Sequence, residues 1–262
     1  MRHRVQMIGL CRFSYLFSQG TGFAKATALA DGGYDEVRLE RRLWLFETMT
    51  LPSLASQTDP DFVLVILIGR GLPPAIRGRL DAITRPHPQF VLHAEDEGHP
   101  HINLCRAVLL QHRDPDRPMV GEFRMDDDDA VSVDFIERSR RYFEDIENLV
   151  QDKRGVELDF CNGLALNFSG RMAEAKEVTV AHWGSAQVFF NPTSSARTAF
   201  HYHHYKAWLH HLCVSAPDRM MFVRSFHEYN DSSRKWENLG SPLARRSLEG
   251  RFGFDLDRII AP

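Results

Sequence analysis

Met119-Val120-Gly121-Glu122-Phe123-Arg124-Met125-Asp126-Asp127-Asp128-Asp129 is a strand-like run that ends in four consecutive aspartates. An amphipathic segment follows from Val133 to Leu149, with Phe135, Ile136, Phe143 and Ile146 on one stripe. Four adjacent carboxylates repel one another, each close pair by about 1 kcal/mol even in water, so they need free solvation or a cation. Hard cations such as Mg²⁺ or Mn²⁺ take oxygen ligands and share them with substrate phosphates. In α/β proteins ligands bind beyond the carboxyl ends of the strands. The run therefore reads as a divalent-metal site. The bland alternative is a solvated acidic loop at the positive end of a helix, with Ser132 as N-cap and Asp134 in the first turn.

Working outward, strand and helix signals alternate through the first half. Val5–Cys11 reads as a strand, 37–56 as a helix and Phe62–Gly69 as a fully buried strand. Pro73–Thr84 reads as a helix, Phe90–Ala94 as a strand and Ile102–His112 as a helix. Such alternation implies parallel βαβ units. In the helix from Val37, the stripe Leu39, Leu43, Phe46 and Met49 faces the sheet, while Arg38, Arg41 and Arg42 are expected elsewhere; Arg138 and Arg140 are expected in solvent. After the aspartates, strand signals crowd together. Asn162-Gly163 between Val156–Cys161 and Leu164–Phe168 is a strong hairpin signal, and a second hairpin is expected to join 178–181 to 186–190. The fold class expected is α/β, a mostly parallel Rossmann-like sheet flanked by helices with antiparallel hairpins in the C-terminal half. With no repeat or flexible linker, residues 1–262 read as one domain, with 1–130 and 131–262 as its halves.

Composition narrows the function. A chain of 262 residues, 43% hydrophobic and 26% charged, can bury a large core. Its net charge of −3 gives no basic stripe for nucleic acid. The longest apolar run is eight residues, Phe62 to Gly69, well short of the roughly 20 that span a bilayer, so no transmembrane segment is expected. No small-residue cleavage site follows the basic start, and a cytoplasmic location is expected. Cys11, Cys105, Cys161 and Cys213 form no CxxC pair and read as buried thiols. The histidines between Phe200 and Leu212 read mainly as amphipathic surface or core-edge residues, with Lys206 a candidate for phosphate.

The run from Phe123 to Asp129 looks like the DxD motif of GT-A glycosyltransferases. More closely, the chain resembles a bacterial family described as rhamnosyltransferases. Its matching stretches are Gly9-Leu10-Cys11-Arg12-Phe13-Ser14, Leu45-Phe46-Glu47 through Leu51-Pro52-Ser53-Leu54, Gln57-Thr58-Asp59-Pro60-Asp61-Phe62, the aspartates with Val133-Asp134-Phe135, and Asn230-Asp231-Ser232. The resemblance implies a GT-A-like fold and metal-dependent transfer of a sugar from a nucleoside-diphosphate sugar to a glycan or other hydroxyl acceptor, as in bacterial polysaccharide synthesis. Rhamnose from dTDP-rhamnose is the donor that the family label suggests, transferred with inversion. It implies Asp126 near the ribose or metal, Asp128 on Mn²⁺ or Mg²⁺, Arg12 on the nucleotide and His227 as a further metal ligand. Asp129 is the spare carboxylate. Inversion needs a carboxylate base within reach of the acceptor hydroxyl. Asp159, Glu228 and Asp231 are candidates, with Asp159 and Asp231 preferred. Two other readings stay open: a nucleotidyltransferase or phosphoesterase using the same aspartates, and a sugar- or nucleotide-binding module without turnover.

Overall fold

Alternation along the first strand decides which helices cover which face of the sheet. In β1 (Val5–Arg12), Ile8 and Leu10 point to one side and Met7 and Cys11 to the other. The chain is described by a computed structural model for residues 3–18, 33–150, 155–169, 172–217, 219–227, 240–242 and 250–256. β1 lies between β2 (Phe62–Gly69) and β4 (Met119–Met125), parallel to both, and β3 (Phe90–Glu95) extends the block beyond β2. Helices α1 (Glu36–Leu45), α3 (Pro74–Thr84) and α5 (Phe135–Ile146) supply Leu39, Leu43, Ile76, Leu80, Phe135 and Phe143 to the core that holds Met7 and Cys11. On the other face, α4 (His101–Gln111) packs Leu104, Cys105, Val108 and Leu109 with Ile8 and Leu10. Close packing is strict at Gly9, where an added Cβ would sit 2.4 Å from the Phe123 ring.

The expected helix over 37–56 forms, but in three parts. α1 runs into a π-helical turn, Phe46–Thr50, and then into α2 (Leu51–Ala55). Pro52 has no N–H to give to an i−4 carbonyl, and the Leu51 N–H reaches back to Phe46 O instead. The wider turn aims Thr50 at the segment after β4, where its hydroxyl donates to Asp129 O at 2.7 Å.

The second half joins two sheets. β5 (Ala130–Val131) follows the aspartates, and β6 (Val156–Phe160), β9 (Gln187–Pro192) and β10 (Leu212–Ala216) complete the main sheet in the order β10-β6-β9-β4-β1-β2-β3. β9 runs antiparallel to both β4 and β6. β7 (Asn162–Ser169), β8 (Met172–Thr179), β11 (Phe222–Phe226) and β12 (Ser241–Pro242) form the second sheet, β12-β8-β7-β11-β5. The architecture is thus the mostly parallel α/β one, flanked by helices, with an antiparallel β7–β8 pair in its C-terminal half.

Neither expected hairpin forms. Asn162-Gly163 carries the chain from one sheet into the other, and neither residue takes the positive φ that a type I′ turn requires. The Asn162 side chain instead accepts from Thr179 Oγ1 at 2.7 Å and donates to Pro217 O, and Phe222 packs where a Gly163 Cβ would be. Likewise β8 pairs with β7, while β9 crosses to the main sheet. Two arginines are buried: Arg140, expected in solvent, and Arg42, expected off the apolar stripe. Arg140 is 6% exposed and contacts Asp59 and Asp61, and Arg42 is 7% exposed. Each is adjacent to the apolar stripe of its helix, close enough for its stem to bury while its guanidinium meets a carboxylate.

One ion pair in the main sheet binds a long connection. Glu122, fully buried on β4, accepts from Arg113 Nε at 2.9 Å and from Ala199 N–H at 2.7 Å. Arg113 also donates to the carbonyls of Thr193, Ser195 and Arg197. Removing one partner of a buried pair strands the other charge. Arg113→Ala should therefore cost about 3–5 kcal/mol in urea unfolding, whereas Arg113→Met with Glu122→Leu should recover most of that loss. A cost below about 1 kcal/mol for the single variant would show that the pair does not hold this connection.

Candidate functional site

Strand order reverses at β1: the chain steps to β2 and β3 on one side and then to β4 on the other. Crevices at such switch points bind ligands in open α/β sheets. A cavity opens there, between Arg12 and Ser14 after β1 and the segment 125–131 after β4, with Gly184, Ser185 and His204 closing it from the second half.

The four aspartates do not act alike. Asp127 turns away into the protein, where Arg42 binds it with two nitrogens, Nε at 2.9 Å from Oδ2. Asp126, Asp128 and Asp129 line the cavity, each with a carboxylate oxygen within 4.8 Å of the other two. Arg12 pairs with Asp126, and His227 Nε2 lies 2.9 Å from Asp128 Oδ2. Asp129 accepts the Ser225 N–H at 2.9 Å and the Ser185 hydroxyl at 3.2 Å. Burial acts against every one of these charges. At Asp126 it is outweighed by Arg12 and Arg224, which hold the carboxyl below its usual range; at Asp128 by Arg42 and His227. At Asp129 burial wins, reinforced by Asp128, and the carboxyl is pushed well above its usual range. The group is thus short of positive charge. Three converging carboxylates of this kind fit a hard divalent cation.

Arginines dominate the rest of the lining. Arg124 donates to Ala199 O at 3.0 Å and to Tyr202 O at 2.5 Å, with its guanidinium 4.6 Å from the Phe200 ring centre. Burial and Arg12 push its pKa down to about 10. Arg224 donates to Trp183 O at 2.7 Å. Among the described residues, neither makes a salt bridge, and both line the cavity. His101 stands 2.8 Å from Arg12 Nη1, and burial, with Arg12 beside it, pushes its pKa down to about 3. It therefore stays neutral and accepts the arginine N–H through Nε2.

Of the residues singled out in the sequence, Arg12, Asp126 and Asp128 meet at the cavity, and His227 rests on Asp128 outside the three-carboxylate group. Asp159 lies on β6 away from the cavity lining. It accepts the His182 N–H at 2.9 Å, and burial pushes its pKa up to about 6. Asp231 and Glu228 lie outside the described residues. Lys206 is exposed, over the Tyr205 ring, and does not line the cavity. Sequence reading missed Arg42, His101, Arg124 and Arg224. Arg124 had a visible signal, since strand alternation puts it on the face of Glu122 and Asp126; the other three are brought in by packing alone.

The chain matches the family model described as "Putative rhamnosyl transferase" over residues 6–238. No curated protein matches it. Among solved structures it is similar to S. aureus TarS residues 1–349, with 13% identity, 84% of this chain and 60% of that chain covered, and a TM-score of 0.48. The same protein in complex with UDP-GlcNAc gives 12%, 86%, 59% and 0.46. A 4-diphosphocytidyl-2C-methyl-D-erythritol synthase gives 11%, 83%, 91% and 0.38. The chain thus spans about 60% of the length of the TarS structure it matches first. The family match extends from within β1 past β11 and takes in the aspartate turn, and by it the chain belongs to the family described as "putative rhamnosyl transferase".

Proposed function

We propose that this chain transfers a sugar, rhamnose by its family label, from a nucleoside-diphosphate donor to a hydroxyl acceptor, in a divalent-metal-dependent reaction with inversion. The observation that carries this reading is the meeting of Asp126, Asp128 and Asp129 with Arg124 and Arg224 around one cavity at the strand switch point. Carboxylates hold a cation and guanidiniums face an anion, the pairing that a metal-bound diphosphate requires.

The metal would be held by Asp126 and Asp128, with Asp129 beside them, and when bound it would neutralise charge developing on the departing diphosphate. His227 orients Asp128 through its Nε2 contact. Arg124 and Arg224, fixed by backbone carbonyls, are oriented before the ligand arrives and supply further positive charge to the leaving group. Arg12 is fixed between Asp126 and neutral His101 at the nucleotide side of the cavity. Of the two preferred carboxylates we assign the base role to Asp231, with Asp159 accepting the His182 N–H outside the cavity lining.

The first test is a thermal-shift panel of dTDP, UDP, GDP and CDP with and without Mn²⁺. A ligand at 100 times its dissociation constant adds about 2.7 kcal/mol of stability, so one nucleotide should stabilise the protein, and only with metal. Asp128→Ala should abolish that shift and keep the far-UV spectrum. An unchanged Mn²⁺-dependent shift in the variant would overturn the metal assignment. With the donor known, Asp231→Asn should lower nucleoside-diphosphate release by roughly 10²-fold or more at unchanged donor affinity, and Asp159→Asn should not. The reverse result would return the base role to Asp159.

His101 adds a pH signature. Its folded pKa is near 3 against an ordinary value of 6.5, so between those values the unfolded chain binds a proton that the folded chain refuses. Its contribution is complete above pH 6.5 and is lost as pH falls, by up to about 1.4 kcal/mol per pH unit. Urea titrations between pH 7 and 4.5 should show a shallower decline for His101→Gln than for the parent.

A further inference from the structure

A second group of ligating side chains lies behind the cavity, on the face of the main sheet that carries Glu157 and Asp159. Glu157 on β6 is fully buried. Its Oε1 lies 2.9 Å from His182 Nδ1 and 2.6 Å from Gln187 Nε2, and its Oε2 accepts from Cys213 Sγ at 2.8 Å. Carboxylate, imidazole and thiol thus offer three donor atoms within 4.8 Å of one another. They come from three separate places: β6, the turn after β8, and the edge strand β10, where Cys213 stands opposite Glu157 in register. Asp159, two residues on, occupies the same face and is 1% exposed. Among the described residues, no arginine or lysine forms a salt bridge with either carboxylate; His182 is the only partner of that kind. Buried carboxylates are ordinarily paired with a cation or coordinate a metal. The mixed set of thiol, imidazole and carboxylate is one that a borderline-soft ion accepts and that Mg²⁺ or Ca²⁺ does not.

We propose that Glu157, His182 and Cys213 form a Zn²⁺ site distinct from the aspartate cluster, with water or Asp159 completing a tetrahedron. Binding replaces two contacts. The Cys213 thiol proton, now shared with Glu157, leaves to solvent as the Zn–S bond forms, and the His182 ring carries its proton on Nε2 so that Nδ1 can ligate; no electron is transferred. The ion joins β6 and β10 to the turn after β8, which reaches the cavity lining. His182, Gly184 and Ala186 all have positive φ, and this strained turn delivers Gly184, Ser185 and Ala186 to the cavity lining, with the Ser185 hydroxyl on Asp129. Fixing His182 to β6 and β10 fixes that turn. The site stands whether or not the donor is a nucleotide sugar.

Co²⁺ is the probe, because a thiolate ligand gives a charge-transfer band that oxygen donors do not. Chelator-treated protein should develop this band with one equivalent of Co²⁺, and Zn²⁺ should displace it. The band should persist in Asp128→Ala, where the aspartate cluster is disabled, and vanish in Cys213→Ser at an unchanged far-UV spectrum. His182→Gln should weaken Zn²⁺ binding by at least roughly 10-fold, since the loss of even an outer partner costs 10–100-fold; it also serves as the deciding variant if Cys213→Ser fails to fold. Absence of the band in the parent protein, its retention in Cys213→Ser, or unchanged Zn²⁺ affinity in His182→Gln would each overturn the proposal.

Discussion

Four carboxylates in one turn, three of them buried, can be held only if cations and backbone donors are brought to them from elsewhere in the chain. That requirement organises the protein around residues 126–129. Arg42 comes from α1, Arg12 from the end of β1, His227 from just beyond β11, and the Ser225 N–H from β11 itself. Each arrives on an element whose own placement is fixed by apolar packing, so the core supplies the stability and the turn dictates where its polar exceptions fall.

The helical unit 36–55 shows how closely the two are tied. Its apolar stripe lies in the core, yet its π turn aims Thr50 at Asp129 O, Ser53 Oγ lies 3.4 Å from Val131 N, and just beyond it Gln57 bridges Ser132 O and the Ile136 N–H. Asp59 and Asp61 then bind the buried Arg140 of α5, with Arg117 completing the pair at Asp61. The stretches Leu45–Leu54 and Gln57–Phe62, which carry the family resemblance in the sequence, support the aspartate turn without lining the cavity, apart from the Arg42 that precedes them.

What could be read in the sequence follows from how far each signal travels. β2 and β4 were legible to the residue because buried parallel strands are continuous apolar runs bounded by polar residues. The helices were legible to within three residues from their stripes. The strand β9 was legible but its pairing was not, because its place between β4 and β6 depends on partners more than 25 residues away and not on its own alternation. Asn162-Gly163 misled because the pair serves side-chain anchoring and a close approach by Phe222 as well as it serves a turn. At the site, the aspartates announced themselves by their charge density. Arg42 and Arg224 did not, since an arginine written in a helix or strand looks the same whether it meets water or a buried polar partner.

The separation of Asp128 and Asp129 from their partners has a consequence for how the chain is made. His227 follows Asp128 by 99 residues and Ser225 follows Asp129 by 96, and β9 must exist before β6 has any neighbour on the β4 side. During synthesis Arg12 and Arg42 are therefore already made when the acidic turn emerges, whereas the later partners of Asp128 and Asp129 follow only with Ser185, Ser225 and His227. Closing that side of the site needs contacts 96 and 99 residues apart, long-range pairings of the kind that slow folding. The polar turn is well suited to that wait, because an exposed run of aspartates stays soluble and disfavours pairing with other chains while the remaining strands are made.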